Sequence, residues 1–313
     1  MTTGLFQDPV CAQHDTGPGH PESPARHAAV TRALADSGLT ARLTALPVRP
    51  AELAEVERCH PRRYIELVRS ETAAGHGTLS TGDTQFGPHS WVAALHAVGG
   101  VVGAVDAVMA GDLRRAFCAV RPPGHHARAE QGMGFCLFNN IALGARHAQR
   151  RHGADKIAIV DWDVHHGNGT QDLFYEDGSV LFFSTHQSPL YPFTGHAGET
   201  GDGRGRGTTV NCPLPAGAGI LEIGSAFEEQ LLPALEAHRP DLILLSAGFD
   251  SRENDPLGRF RLTDADFVRL TRLLKQAADS LCEGRLISVL EGGYSLEGLA
   301  KAVTAHVGEL AAE

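Results

Sequence analysis

The sequence has 313 residues, of which 42% are hydrophobic, so it can bury a sizeable core. That length allows one large domain or two average ones, and no linker, repeat or change of composition divides the chain. We therefore expect one domain over residues 1–313. The 27 Lys and Arg residues against 37 Asp and Glu residues leave a formal charge of −10. A negative balance disfavours a nucleic-acid surface, and no nucleic-acid partner is expected.

The cysteine usage fits a reducing compartment, because the six cysteines include no Cys-x-x-Cys pair of the kind found in zinc–cysteine sites. The first residues lack a charged segment followed by an apolar one, so no secretory signal is predicted. The longest apolar tract, Ala93–Ala110, is interrupted by His96 and Asp106 and predicts a buried helix instead of a membrane span. We expect a cytoplasmic protein without a membrane partner.

The first third of the chain predicts helices joined by polar loops. Ser23 is suited to cap a helix whose first residue is Pro24. The helical patterns cover about residues 24–38, 61–73 and 89–109. Between the last two lies a glycine-rich loop, Gly75–Pro88, in which Asp83 is most simply a turn residue.

A short predicted strand, Phe117–Val120, leads into two adjacent histidines, His125 and His126. The intervening Pro-Pro-Gly run makes a rigid loop. A histidine pair more often fills surface or core, but its position beyond a strand end favours a functional role. The turn that comes next, Gly132–Cys136, is framed by glycines and presents Phe135.

The segment around Ile157–Asp161 carries the strongest chemical signal. It is a continuous β-branched and apolar run, which predicts a buried strand. Asp161, Asp163 and His165 lie at every second position. Because side chains on a strand alternate between its faces, these three can project to the same side. Buried charges of this kind normally pair or hold a metal, because an unpaired buried charge is costly. A divalent-cation site is therefore favoured, provided that another ligand exists.

The best candidate for that ligand is Asp250, which follows a second apolar strand beginning at Asp241. In open parallel sheets, ligands gather outside the carboxyl ends of the strands. Asp163, His165 and Asp250 therefore form the predicted metal set, with Asp161 one pleat deeper in a supporting position.

The remaining segments alternate between strands and helices. Tyr191 lies in a glycine-rich loop, Pro189–Gly207, and Tyr294 follows the last strand. The predicted strands are Ser179–Ser184, Thr208–Cys212 and Arg285–Leu290. The predicted helices are Thr170–Glu176, Ile220–His238 with a kink at Pro233, and Thr263–Leu281. This alternation predicts an α/β fold with a mostly parallel sheet and helices on both faces.

Several motifs together resemble the zinc-dependent histone deacetylase family, in particular its class II branch and the related bacterial deacetylase-like amidohydrolases. The resemblance runs in the family's order from His20-Pro21-Glu22 to Tyr294. The motifs are Pro122-Pro123-Gly124-His125-His126, Gly132–Cys136, Asp161–Thr170, Ala247-Gly248-Phe249-Asp250 and Glu291-Gly292-Gly293-Tyr294. The family's arginase-like fold agrees with the α/β prediction.

The resemblance implies a zinc site and an amide-hydrolysing reaction. By this resemblance the zinc ligands are Asp163, His165 and Asp250. The catalytic groups are His126 as the general base held by Asn168, His125 held by Asp161, and Tyr294 as the oxyanion donor. The family also has an aspartate at the position of Asn168, so the asparagine leaves His126 less basic. A monovalent cation, expected to be potassium, would be held by Asp161, Asp163, His165 and Ser184.

The resemblance also implies an acyl-lysine tunnel. Its walls would include Gly134, Phe135 and Tyr191, where the family often has a second phenylalanine, and its rim acid would be Asp83. Leu257 matches the family's gatekeeper, a position at which the polyamine-selective branch carries a glutamate.

The expected substrate is an acylated lysine in a peptide or protein. The alternatives are an acetylpolyamine or another small acylated amine as the substrate, and a non-catalytic acyl-lysine-binding protein. The sequence does not predict an oligomeric state.

Overall fold

The computed structural model describes residues 3–312 and contains ten strands in that range. In chain order they are β1 Thr3–Phe6, β2 Thr44–Ala45, β3 Gly77–Thr78, β4 Gln85–Phe86, β5 Arg115–Cys118, β6 Ile157–Asp161, β7 Val180–Gln187, β8 Thr209–Leu214, β9 Leu242–Ala247 and β10 Leu286–Leu290.

Eleven α-helices lie between and after these strands. They are α1 Pro24–Asp36, α2 Leu39–Arg42, α3 Leu53–Val56, α4 Arg62–Ala73, α5 Ser90–Met109, α6 Asn140–His152, α7 Asn168–Phe174, α8 Ile220–Ala226, α9 Leu232–His238, α10 Asp264–Leu281 and α11 Leu296–Leu310. Short 3₁₀ turns occupy Pro9–Gln13 and Gly203–Gly205.

Eight of the strands form one sheet in the order β2-β1-β5-β10-β9-β6-β7-β8, and every pair in it is parallel. Strands β3 and β4 form a separate antiparallel pair. Because all eight strands of the large sheet point the same way, their carboxyl ends meet at one edge. The four central strands β5, β10, β9 and β6 therefore end side by side.

Helices cover both faces of the sheet, which explains why its central strands are mostly apolar. Along β6, Ile157 and Ile159 face a core packed by α5 and α6. Ala158 and Val160 face the opposite core, which α1, α10 and α11 pack. The predicted α/β class, with a parallel sheet and helices on both faces, is confirmed.

Two predicted helices show how local sequence and packing combine. By length and composition α5 could cross a membrane, but most of its residues are buried within the core, as predicted. The segment Ile220–His238 is helical, and its predicted kink takes the form of a π-helical stretch at Phe227–Leu231 between α8 and α9. Pro233 lies just beyond that stretch and cannot donate a backbone hydrogen bond one turn back, which accounts for the irregularity.

Candidate active site

The candidate site lies where the four central strands of the sheet end. The loop after β5 carries His126, the loop after β6 carries Asp163 and His165, β9 is followed by Asp250, and β10 is followed by Tyr294. Residues that are more than a hundred positions apart in sequence thus meet at one edge. The prediction that titratable groups gather at the strand ends is confirmed.

The predicted metal set forms a compact, buried cluster. One imidazole nitrogen, His165 Nδ1, lies 3.0 Å from Asp163 Oδ1 and 3.3 Å from Asp250 Oδ2, and the three donor atoms lie within 4.8 Å of one another. Burial and the neighbouring Asp163 carboxylate raise the pKa of Asp250 to about 7. Its Oδ2 atom is buried and accepts no hydrogen bond.

An orphaned carboxylate oxygen beside a second carboxylate and an imidazole fits a divalent cation. These three donors suit zinc and related divalent ions, and three protein ligands leave coordination positions open. The glycines nearby keep side chains out, since a Cβ at Gly292 would lie 2.0 Å from Asp250 Oδ2 and one at Gly248 would lie 2.1 Å from Asp163 Oδ2.

The two tandem histidines have different partners. His125 Nδ1 lies 2.9 Å from Asp161 Oδ2, whereas His126 Nδ1 lies 2.8 Å from Asn168 Oδ1. An amide oxygen only accepts, so Asn168 assigns the proton to Nδ1 of His126 and leaves Nε2 as the basic nitrogen. The structure therefore places His125 beside Asp161 and His126 beside Asn168, the partners that the resemblance implied.

The environments of His125 and His126 shift the pKa values of the two side chains in opposite directions. Burial opposes a charge on His125, but the carboxylates of Asp161 and Asp163 outweigh it, so the pKa of His125 is raised well above its usual value. Burial, together with the nearby His125 and His165, lowers the pKa of His126 well below its usual value. Two groups whose pKa values differ in this way suit opposite roles in proton transfer, one as an acid and one as a base.

Hydrogen bonds from two different parts of the chain hold the loop that carries Tyr294. Gly292 N–H donates to Asp163 Oδ2 at 2.9 Å, and the buried Arg26 side chain donates to Gly293 O at 2.6 Å. Gly293 has φ +120°, a conformation that favours glycine. Burial, partly offset by Arg26, raises the pKa of Tyr294 well above its usual value, so its hydroxyl keeps its proton and can donate.

A cavity of about 340 Å³ opens onto these groups. The rings at its walls meet edge to face: Phe135 and Tyr294 have centroids 5.8 Å apart, and Tyr191 and His126 have centroids 5.3 Å apart. All five residues predicted for the tunnel line the cavity, and one further lining residue, Leu190, was not predicted. The lining residues are Asp83, His126, Gly134, Phe135, His165, Leu190, Tyr191, Leu257 and Tyr294.

Asp83 is more than the turn residue that its surroundings in the sequence predict. Its Oδ1 accepts Gly134 N–H at 2.8 Å, and its Oδ2 accepts the Tyr191 hydroxyl at 3.0 Å. The carboxylate thus joins the loop before α5 to two other segments of the cavity wall.

Ser184 is the fourth residue named for a monovalent cation. It lies opposite Asp161 in the register of β6 and β7 and is fully buried. Its hydroxyl contacts His186 Nδ1 at 3.0 Å. Ser184 and Asp161 are thus neighbours as predicted, and a cation between them stays a prediction.

Several carboxylates and arginines that support the site were not predicted from the sequence. Glu291 Oε2 accepts hydrogen bonds from the backbone N–H groups of Gly124 and His125 at 2.7 and 3.1 Å. These bonds hold the loop that carries the two tandem histidines against the end of β10. Burial raises the pKa of Glu291 to about 7. Its place at the head of the Glu-Gly-Gly-Tyr motif was a usable signal.

A buried ionic cluster lies behind the Tyr294 loop. The Glu22 carboxylate accepts from Arg26 at 2.9 Å and from Arg121 at 2.6 and 2.7 Å, and all three side chains are inaccessible to solvent. The Arg26 guanidinium also lies 4.9 Å from the centre of the Tyr294 ring. Glu22 belongs to the His20-Pro21-Glu22 motif, but nothing in the sequence distinguished the two arginines.

A second group within residues 3–312, Asp106, His147 and His152, also brings three donor atoms together. Here Asp106 Oδ1 lies 2.6 and 2.7 Å from the two Nε2 atoms, which is hydrogen-bond spacing. Arg58 contacts Nδ1 of His147 from the other side, so that ring directs its own N–H at Asp106. We interpret this group as a hydrogen-bonded link between α5 and α6. Asp106 and His152 are only partly buried, whereas all three residues of the metal set are buried.

Comparisons with known proteins agree with this geometry. A family model described as the histone deacetylase domain matches residues 20–310. The histone deacetylase-like amidohydrolase of Pseudomonas aeruginosa is 40% identical over 312 residues, covering 94% of this chain and 82% of that protein. The probable deacetylase of Archaeoglobus fulgidus is 39% identical over 300 residues, covering 95% of this chain and 83% of that protein.

Two further comparisons extend the range of relatives. The human polyamine deacetylase HDAC10 is 40% identical over 310 residues, which are 96% of this chain and 44% of that protein. The crystal structure of the HDA15 HD domain superposes with a TM-score of 0.93 at 36% identity, covering 99% of this chain and 91% of that chain. The chain therefore belongs to the histone deacetylase family and is a hydrolase of the deacetylase type.

Proposed function

We propose that this protein is a zinc-dependent deacylase that removes an acetyl group from the side chain of an acylated lysine. The main support for the proposal is that three kinds of functional group meet at one cavity. The metal set Asp163, His165 and Asp250 lies beside a neutral histidine, His126, and beside the hydroxyl-bearing Tyr294.

Zinc would be held by the Asp163 and Asp250 carboxylates and by His165. When bound there, a divalent ion supplies Lewis-acid polarisation of the amide carbonyl and makes hydroxide available near neutral pH. The orphaned Oδ2 of Asp250 supports this assignment. A potassium ion near Asp161 and Ser184 is a further part of the proposal and rests on their adjacency in the sheet.

The protein's own groups supply the proton transfers. His126, with its Nε2 free of a proton, takes the proton from the attacking water. His125, kept charged by Asp161, stabilises negative charge at the reaction centre and can return a proton to the leaving amine. Tyr294 donates a hydrogen bond to the oxyanion as it forms.

The cavity walls support an acyl-lysine substrate over a polyamine. Phe135, Leu190, Tyr191 and Leu257 offer apolar surface to the aliphatic stem of a lysine. The alternative, an acetylpolyamine, is favoured by the 40% identity to the human polyamine deacetylase and by the acidic Asp83 in the cavity wall. A purely binding role is disfavoured, because such a role does not need His126 and Tyr294 beside the metal set.

The proposed location is the cytoplasm. All six cysteines are free, which is consistent with a reducing compartment.

A substrate panel on one preparation tests the proposal. Acetyl-lysine peptides, longer acyl-lysine peptides and acetylpolyamines are assayed with zinc, after chelation, and after zinc is restored. We expect acetyl-lysine peptides to give the highest kcat/KM, with loss on chelation and recovery with zinc. Turnover that survives complete metal removal, or faster turnover of acetylspermidine than of every peptide, would contradict the assignment.

A further inference from the structure

One carboxylate outside the metal set joins the catalytic tyrosine to the cavity wall. Asp255 Oδ2 accepts the backbone N–H groups of Tyr294 and Ser295 at 2.7 and 3.0 Å. Its other oxygen, Oδ1, accepts the N–H of Leu257 at 3.0 Å. Asp255 is itself almost completely buried, with 8% of its surface exposed. A single side chain therefore holds three amides from two separate loops.

These bonds restrain the tyrosine on the side that Arg26 does not reach. Arg26 holds the preceding carbonyl, Gly293 O, and contacts the face of the Tyr294 ring. Gly293 O and the Tyr294 N–H belong to one planar peptide group, which Arg26 and Asp255 therefore hold at its two ends. Gly293 has no side chain to restrict the rotation of that group. Without Asp255, the amide of Tyr294 would lose its partner, and the ring could turn about the glycine. Charge-assisted bonds from a buried carboxylate are among the stronger restraints available to a loop.

We propose that Asp255 is a positioning residue for the deacylation reaction, which sets the Tyr294 hydroxyl and the Leu257 wall in a fixed relation to each other. This inference rests on the proposed function for its catalytic consequence, but the positioning itself is independent of turnover. Asp255 forms no hydrogen bond with a metal-set side chain in the described part of the chain. Its charge raises the pKa of Asp250, but its hydrogen bonds to the site go to the backbone of Tyr294 and Ser295.

The chain offers a matched control in Asp241. Its Oδ2 also accepts two backbone N–H groups, from Asp155 and Lys156, at 2.7 and 3.0 Å. Asp241 precedes β9 and so lies at the opposite edge of the sheet from the site. Replacing it removes a similar pair of bonds without touching the tyrosine loop.

Fluorine NMR of protein labelled with 3-fluorotyrosine tests the positioning directly. The chain has four tyrosines, and the resonance of Tyr294 is assigned by its loss in Tyr294→Phe. We expect Asp255→Ala to shift and broaden that resonance, and Asp241→Ala to leave it unchanged. Asp255→Asn keeps one oxygen for the Tyr294 and Ser295 amides and should restore most of the wild-type signal. Asp255→Ser, which retains a polar group, takes the place of the alanine variant if that variant does not fold.

Kinetics of the single and double variants test the catalytic consequence. Asp255→Ala should lower kcat on the order of 10- to 100-fold, the size of effect that a small misplacement of a reacting group can produce. In a Tyr294→Phe background the same change should cost nothing further, because both act through one hydroxyl. An unshifted Tyr294 resonance, or equal losses in both backgrounds, would overturn the proposal. A wild type that turns over no acylated amine would refute the proposed function, while the fluorine spectra would still decide the positioning.

Discussion

The Tyr191 hydroxyl donates a 3.0 Å hydrogen bond to Asp83 Oδ2, which joins two loops at the open side of the cavity. The same carboxylate accepts Gly134 N–H, so Asp83 restrains Tyr191 relative to the opposite wall. This contact exists because the chain has a tyrosine where its family often has a phenylalanine. Its loss should loosen the cavity wall without disturbing the metal set.

The first prediction concerns that bond. Tyr191→Phe should raise KM about two- to tenfold, the worth of one net hydrogen bond, with little change in kcat. Asp83→Ala should cost at least as much, because it also removes the acceptor of Gly134 N–H. Adding Tyr191→Phe to Asp83→Ala should cost nothing further, because the tyrosine hydroxyl has then already lost its partner. Steady-state kinetics measures this, with Tyr175→Phe as the control because Tyr175 does not line the cavity. Additive losses would show that the two side chains act independently.

The second prediction concerns substrate choice at Leu257, an apolar residue of the cavity wall. Leu257→Glu should shift the ratio of kcat/KM values toward acetylpolyamines, because a carboxylate in a partly desolvated mouth attracts a distant ammonium group. Leu257→Gln is similar in size but uncharged and should leave the ratio nearly unchanged. Equal ratios for the glutamate and glutamine variants would argue that charge at this position does not select the substrate.

The third prediction concerns the oxyanion donor. Tyr294→Phe retains the ring but loses the hydroxyl, so kcat should fall by roughly 10²–10³, the usual cost of one such donor. Tyr64→Phe is a control, since Tyr64 is buried and donates to Leu137 O outside the cavity. The measurement is single-turnover kinetics, which separates chemistry from product release. Wild-type rates in the Tyr294 variant would indicate that its hydroxyl does not contact the reacting amide.

The fourth prediction concerns the buried cluster behind the tyrosine loop. Burial opposes the Glu22 charge, but Arg121, His14 and Arg26 outweigh it and lower the pKa of Glu22 to about 2. A carboxyl group whose folded-state pKa is depressed stabilises the fold above its unfolded pKa, and that stability is lost as the pH falls through the folded value. The free energy of unfolding should therefore decline between about pH 4.5 and pH 2.

Glu22→Gln removes this component and leaves two buried guanidinium groups without their carboxylate. We expect it to cost about 3–5 kcal/mol near neutral pH and to flatten the acid decline, as measured by denaturant unfolding at several pH values. Glu297→Gln, which loses only an exposed pair with Lys301, should match the wild type. An acid decline of unchanged depth in Glu22→Gln would assign it to other carboxyl groups.

The predicted metal-set residues share one property, since they come directly after apolar strands. Asp163, His165 and Asp250 were identified because strand patterns are local and because the carboxyl ends of parallel strands lie together at one edge. The roles of Tyr294 and of the cavity-wall residues came from the whole-chain resemblance. The whole-chain resemblance then supplied partners such as Asn168 for His126, whose ring and amide meet across 42 positions.

The supporting groups were missed because their partners are remote and carry no local pattern. Arg26 lies on α1 and bonds a carbonyl 267 positions away, and Asp255 looks like any aspartate before a proline. Elements were missed for a similar reason. Strand β1 was not predicted, and its pairing with β5 spans more than a hundred positions.

The metal content of Asp250→Ala tests the proposed metal site directly. Asp250 is one of the three proposed ligands, and its loss also removes the carboxylate that repels Asp163, so the core should still fold. We predict that wild-type protein retains zinc through dialysis and that Asp250→Ala loses both zinc and turnover, as measured by elemental analysis and activity on one preparation. Asp106→Asn, in the hydrogen-bonded group between α5 and α6, should retain wild-type zinc and activity. Stoichiometric zinc and full activity in Asp250→Ala would contradict the assignment of Asp250 as a zinc ligand.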